Sequence, residues 1–162
     1  MDPVIIAAGS NLGNRQDILR KAGNFLESLS EGVVIKSSVW ESEPLGPALY
    51  PFLNSVIKVE SSLPANALLS KLKSFEAEMG RDRESERWSP RILDLDIIGY
   101  GGLVIHSESL IIPHPEYTRR LFVLLPLKEI DPGWADPETG CALDDILDAA
   151  PDMQITKTNL NW

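Results

Sequence analysis

Apolar residues recur with helical period twice in this chain, and two strand-like runs lie between the two stripes. In the first stripe Ile18, Ala22, Phe25 and Leu29 repeat, with Leu19 and Leu26 beside them; in the second Leu68, Leu72, Phe75 and Met79 do. Such spacing buries one face of each helix. Asn14 is the expected N-cap of the first helix, with Asp17 in its first turn and Gly32 at its close. Pro64 falls in the first turn of the second, which Gly80 ends. Between them, Val33–Trp40 is β-rich, and Phe52–Val59 places Leu53, Ser55, Ile57 and Val59 on one face. An apolar strand, Val4–Ala8, precedes the first helix, and another, Ile92–Tyr100, follows the second. The order is strand, helix, strand, strand, helix, strand. It predicts an α+β fold of the ferredoxin-like split βαβ type, an antiparallel sheet with two helices packed on one face.

C-terminal additions follow. Leu103-Val104-Ile105 reads as a short hairpin arm, Pro113-His114-Pro115 breaks the chain, Leu121–Leu127 is apolar again, and Leu143–Ala149 suggests a final short helix. The length of 162 residues suits a single domain, 1–162, with no repeat or low-complexity segment to divide it. Two long loops stand out. Residues 43–51 carry Pro44, Gly46, Pro47 and Pro51, too much proline for a regular element. Residues 81–91 are polar and lack apolar period. Loops of this length in compact domains are often functional.

Several classes of function are disfavoured. The longest uncharged apolar run, near residues 97–105, is far short of a membrane span. One cysteine, Cys141, makes no internal disulfide and no cysteine-based zinc site. With no basic-then-apolar leader, a cytoplasmic location is expected. A net charge of −9 disfavours binding along a nucleic-acid backbone. The arginines are nevertheless gathered: four of the eight lie between Arg81 and Arg91, and Arg119 and Arg120 are adjacent. Guanidinium clusters suit a small polyphosphate better than a long polyanion.

Asp94-Leu95-Asp96 is the sharpest chemical feature, set within the apolar run from Ile92 to Ile98. Strand alternation puts both carboxylates on one face, where like charges repel. Either this is a solvated strand face or a divalent cation relieves the repulsion. The apolar neighbours favour the cation, and all-oxygen ligation favours Mg²⁺ completed by substrate phosphates. The loop Arg81–Arg91 runs directly into that strand. By itself it reads equally as a solvated mixed-charge loop; beside two aspartates it gains as a polyphosphate clamp. Gly9–Asn14 looks like a phosphate-cradling loop but matches no Walker A motif, Gly99–Gly102 matches no dinucleotide pattern, and both read better as turns. Of the two histidines, His114, near Arg119 and Arg120, is the better functional candidate. Phe52, Trp88 and Phe122 read either as packing residues or as stacking surfaces for a flat heterocycle.

The run Arg87-Trp88-Ser89-Pro90-Arg91-Ile92-Leu93-Asp94-Leu95-Asp96 resembles the signature R-W-x-P-R-x-x-D-x-D of the 6-hydroxymethyl-7,8-dihydropterin pyrophosphokinases of folate biosynthesis. Ser42–Pro47, Phe52-Leu53-Asn54 and Pro113-His114-Pro115, with Arg120 and Phe122 downstream, are similar to further motifs of that family in the same order. The resemblance implies transfer of pyrophosphate from ATP to the pterin hydroxymethyl group, with release of AMP. It implies that Asp94 and Asp96 bind two Mg²⁺ ions bridging the ATP phosphates, and that Arg81 and Arg91 act in catalysis. Glu76, Arg83, Trp88, Arg91, Ile97, His114 and Arg120 would line the nucleotide site. Ser42, Leu45, Asn54 and Asp94 would line the pterin pocket, with Phe52 and Phe122 sandwiching the ring. Three positions depart from the family pattern: Ser89 replaces a usual glycine, Phe52 replaces a tyrosine of some members, and Glu84 stands where some members are basic. Some members of the family are fused to other folate enzymes.

Two other readings share some of these features. A ferredoxin-like RNA-binding module has the same element order but needs a basic, aromatic sheet face. A catalytically silent ATP-binding domain would retain the fold without the intact Arg and Asp set.

Overall fold

The computed structural model describes residues 1–44, 50–80 and 92–162. The first seven elements are β1 (Asp2–Ser10), α1 (Arg15–Leu29), β2 (Ile35–Lys36), β3 (Trp40–Ser42), β4 (Phe52–Ser61), α2 (Ala65–Met79) and β5 (Asp94–Tyr100). A small hairpin of β6 (Ile105–His106) and β7 (Ile111–Ile112) follows, then a 3-10 turn at Tyr117–Arg119. The chain continues through α3 (Leu121–Ile130), α4 (Leu143–Ala149) and β8 (Ile155–Lys157).

The main sheet has the order β5-β1-β4-β3-β8, with β2 also paired to β4, and every pairing is antiparallel. The run expected as one strand over Val33–Trp40 is divided into β2 and β3. Between them the Ser37 N–H reaches the Val56 carbonyl at 2.9 Å, while Ser37 Oγ accepts from the Val56 N–H at 2.9 Å. A hydroxyl there takes the place of a backbone acceptor, which interrupts the ladder.

Both faces of the sheet are covered. Val4, Ile6 and Ala8 pack with Leu19, Leu26, Leu68 and Leu72 beneath α1 and α2. Ile5, Ala7, Val56 and Ile98 pack with Val123, Leu124, Leu127 and Ile146 beneath α3 and α4. This double burial explains why β1 is apolar at successive positions instead of alternating. Among the described residues it also leaves no open sheet face of the kind an RNA-binding module uses. Among the described residues no helix is long and apolar enough to cross a membrane.

Two contacts brace the second layer. Trp134 lies against Gly99 of β5 so closely that a Cβ there would come within 2.3 Å of its ring. Buried Tyr117 donates its hydroxyl to Asp136, whose carboxylate also accepts the N–H groups of Glu138 at 2.8 Å and Thr139 at 3.0 Å.

Candidate active site

A cavity of about 200 Å³ opens at one end of the sheet, where β1 runs out in Ala7-Ala8-Gly9. The register sets Asp96 opposite Ala7 and Asp94 opposite Gly9. On its other side Gly9 faces Asn54, and Asn54 faces Trp40 of β3. Asp94, Gly9 and Asn54 therefore form one row across three strands. The small side chains of β1 leave space between the carboxylates and the amide, and that space is the cavity floor. Ser42 and Phe52 are cross-strand partners at its edge. Arg120, Phe122 and Val123, at the start of α3, form the opposite wall.

Asp94 and Asp96 are half-buried on the face turned to α3, while Leu95 and Ile97 are buried among the side chains beneath α1 and α2. The alternation expected from sequence thus decides which groups reach the cavity. Among the described residues no group of three or more His, Cys, Asp or Glu side chains is placed to hold a metal. Two carboxylates beside open space suit Mg²⁺, which keeps several oxygen positions for water and substrate phosphates.

Positive charge lies on the opposite wall. The Arg120 guanidinium stands 5.7 Å from the centre of the Phe122 ring. Arg120 is also the N-cap of α3, so the helix N-terminus adds a positive partial charge at the cavity rim. His114 is close enough to feel both sides. Burial, the largest influence, lowers its pKa; Asp96 and Glu116 pull it up, Arg120 and Lys73 pull it down, and the net direction is down. Its Nδ1 accepts the Glu116 N–H at 3.1 Å, which leaves the proton on Nε2.

Ser42, Phe52, Asn54, Asp94, Asp96, Arg120 and Phe122, all singled out from sequence, line this one cavity. Glu76 does not line it. Its Oε1 accepts the Leu95 N–H at 2.6 Å, which ties α2 to the strand between the two aspartates. Burial, the largest influence, raises the Glu76 carboxyl above its ordinary range. The Ile97 side chain is likewise turned away, into the core. Leu45, Arg81, Arg83, Trp88 and Arg91 lie outside the described residues, as do Ser89 and Glu84. Sequence reasoning missed Ala7, Ala8, Gly9 and Val123 as lining residues. The available signal was the drop to small side chains at the end of an apolar strand.

The profile of a family described as 7,8-dihydro-6-hydroxymethylpterin-pyrophosphokinase (HPPK) matches residues 5–132. A 2-amino-4-hydroxy-6-hydroxymethyldihydropteridine pyrophosphokinase of Bacillus subtilis is 43% identical over 127 residues, covering 77% of this chain and 75% of that protein. The folic acid synthesis protein fol1 of Pneumocystis carinii is 39% identical over 158 residues; the match takes in 95% of this chain but spans only 21% of that longer protein. A crystal structure of Plasmodium falciparum HPPK-DHPS wild type with SDX-DHP superposes with a TM-score of 0.69. It covers 91% of this chain and 43% of that one at 13% identity, a likeness of fold alone.

Proposed function

Since the chain belongs to the 7,8-dihydro-6-hydroxymethylpterin-pyrophosphokinase family, we propose that it transfers pyrophosphate from ATP to the hydroxymethyl oxygen of 6-hydroxymethyl-7,8-dihydropterin and releases AMP. The observation that carries this is the meeting, in one cavity, of a hydrogen-bonding edge, two aromatic rings and two strand carboxylates.

The flat pterin fits between Phe52 and Phe122, with its polar edge on Asn54 and Ser42. The hydroxymethyl group then lies toward Asp94 and Asp96. Arg120 and His114 face the same end and suit the ATP phosphates, the arginine by charge and the histidine through Nε2–H. The substrate hydroxyl attacks the β-phosphorus and gives up its proton to solvent; the new O–P bond forms as the bond from the β-phosphorus to the α–β bridging oxygen breaks, and AMP departs carrying that oxygen. Phosphoryl-type transfer depends on alignment and charge neutralisation and needs no covalent nucleophile. Asp94 and Asp96 would hold Mg²⁺, two ions on this reading, and the metal supplies charge neutralisation at the phosphate oxygens. Roles for Arg81 and Arg91 in catalysis, and for Arg83, Trp88, Glu76 and Ile97 about the nucleotide, rest on the family motif. The pterin-side role of Leu45 has the same basis. The strand order β5-β1-β4-β3, with α1 and α2 on one face, supports the ferredoxin-like description.

Protein mixed with Mg²⁺, ATP and the pterin, with Asp96→Ala in parallel, tests the reading by nucleotide analysis. AMP that requires both pterin and Asp96 is the expected result. ADP in its place would mean attack at the γ-phosphorus and overturn the assignment; ATP left intact would overturn the activity.

A further inference from the structure

Arg15 is the first residue of α1, launched from the turn at Gly13, where φ is +67°, and Asn14, whose side chain caps Asp17. A cation is electrostatically unfavourable at a helix N-terminus. The sequence nevertheless places one there, and its partners are far away in the chain. Arg15 Nη1 donates to Pro51 O at 2.8 Å and to Glu41 Oε2 at 3.1 Å. Glu41 is the residue before Ser42, and Pro51 is the residue before Phe52. Ser42 and Phe52 are cross-strand partners and both line the cavity. One guanidinium thus joins the two strand ends that present the cavity edge.

Arg15 itself does not line the cavity. Side chains alternate along β3, so Glu41 and Ser42 point to opposite faces, and the clasp is made behind the cavity. The Arg15 and Glu41 side chains are 29% and 44% exposed, so the ion pair alone contributes little. The charge-assisted bond to the Pro51 carbonyl is the stronger link, and it falls on the residue just before β4 begins, where the ladder with β3 has run out.

We propose that Arg15 is a positioning residue for the acceptor substrate: by clasping Glu41 and Pro51 it fixes the spacing of Ser42 and Phe52, and so sets affinity for the flat heterocycle and not for the nucleotide. This rests on reading the Ser42, Asn54 and Phe52 side of the cavity as the acceptor's place.

The test compares wild type, Arg15→Met, Arg15→Lys and Glu41→Gln in the full chain. Binding of 6-hydroxymethyl-7,8-dihydropterin and of ATP is titrated separately, alongside steady-state AMP release. Arg15→Met should weaken pterin binding and raise its KM about tenfold, with kcat and ATP affinity within about twofold. Arg15→Lys, which can still donate to Pro51, should recover most of the loss. Glu41→Gln keeps the Pro51 bond and should cost the pterin about twofold to threefold, which serves if Arg15→Met does not fold. Unchanged pterin affinity in the foldable variants would overturn the proposal, as would equal loss for both ligands. Wild-type protein that bound no pterin would overturn the underlying reading of the cavity instead.

Discussion

Asn54 Nδ2 donates a 2.8 Å hydrogen bond to Ser42 Oγ across β4 and β3, and both residues are buried. The bond holds the amide in one orientation. Its Oδ1 lies over Gly9, where a Cβ would approach it to 3.4 Å, at the cavity floor. The pair therefore offers an acceptor to a ligand while satisfying its own buried donor.

Asn54→Leu should separate two effects of that bond. Ser42 loses its buried partner, which should cost about 1–3 kcal/mol of stability. The ligand loses an acceptor, so pterin affinity should fall by about tenfold or more while ATP affinity holds. Thermal unfolding and separate ligand titrations check the two parts. Pterin binding as tight as in wild type would show that this edge is not used.

The two rings should differ on truncation. Phe52→Ala removes one stacking surface and should weaken the pterin alone, by about tenfold. Phe122→Ala also removes the ring beneath Arg120 and should weaken both ligands. Titrations with each ligand decide it; identical profiles for the two variants would contradict the arrangement.

Stability should fall on both sides of neutrality through Tyr117 and Asp136. Burial alone would raise the Asp136 carboxyl, but the bonds from Tyr117, Thr139 and Glu138 outweigh it and hold it below its ordinary 3.8. Burial first, then the bond to Asp136, pushes the Tyr117 phenol well above its ordinary 10.0. The unfolded carboxyl binds a proton more readily than the folded one. The carboxylate's contribution is therefore complete above 3.8 and lost as pH drops through the lower folded value. The unfolded phenol releases its proton more readily, so stability declines again as pH rises beyond 10.0. Tyr117→Phe should cost about 1–2 kcal/mol near neutrality and remove the Tyr117 share of the alkaline decline. Urea unfolding at stepped pH measures both, and an alkaline limb identical to wild type would refute the assignment.

Trp162 should matter to stability and not to chemistry. Its indole Nε1 donates to Ser37 O at 2.9 Å, its ring lies against Gly23, and Lys36 Nζ stands 5.5 Å from the ring centre. Trp162→Ala should lower unfolding free energy by about 2–3 kcal/mol. The rate of AMP release from the folded fraction should stay as in wild type. A changed KM for either substrate would show that this packing reaches the cavity.

The helices were legible in the sequence because burial on one face leaves a periodic record. Pro64 and Gly80 bracket α2 closely, and of the stripe Leu68, Leu72, Phe75 and Met79 the first two are buried and the last two half-buried against the core. The placement of the Asp pair was legible for a related reason: alternation along the strand sets both carboxylates on one face, the face turned to the cavity. β8 was not legible. Three residues, Ile155, Thr156 and Lys157, form it by pairing with β3, and no local periodicity records a partner more than a hundred positions away. The apolar run at Leu121–Leu127 gave no hint of type, since α3 is buried nearly all round and contains Pro126. The site was partly legible. Polar and aromatic side chains stand out in a sequence, but the residues that make room for them at the cavity, Ala7, Ala8 and Gly9, carry no functional group to notice. Arg15 escaped notice because its partners are defined only by the fold.

Gly99 and Trp134 impose a condition of another kind, one on how the sequence can drift. With the indole in place, even alanine at position 99 would meet ring atoms at 2.3 Å. With a smaller residue at position 134, β5 would lose the ring packed against it and a cavity would open behind the strand that carries both aspartates. Neither position can easily move first. The two should therefore change together among related chains, and a lineage that exchanged one alone would carry a destabilised intermediate until the other followed.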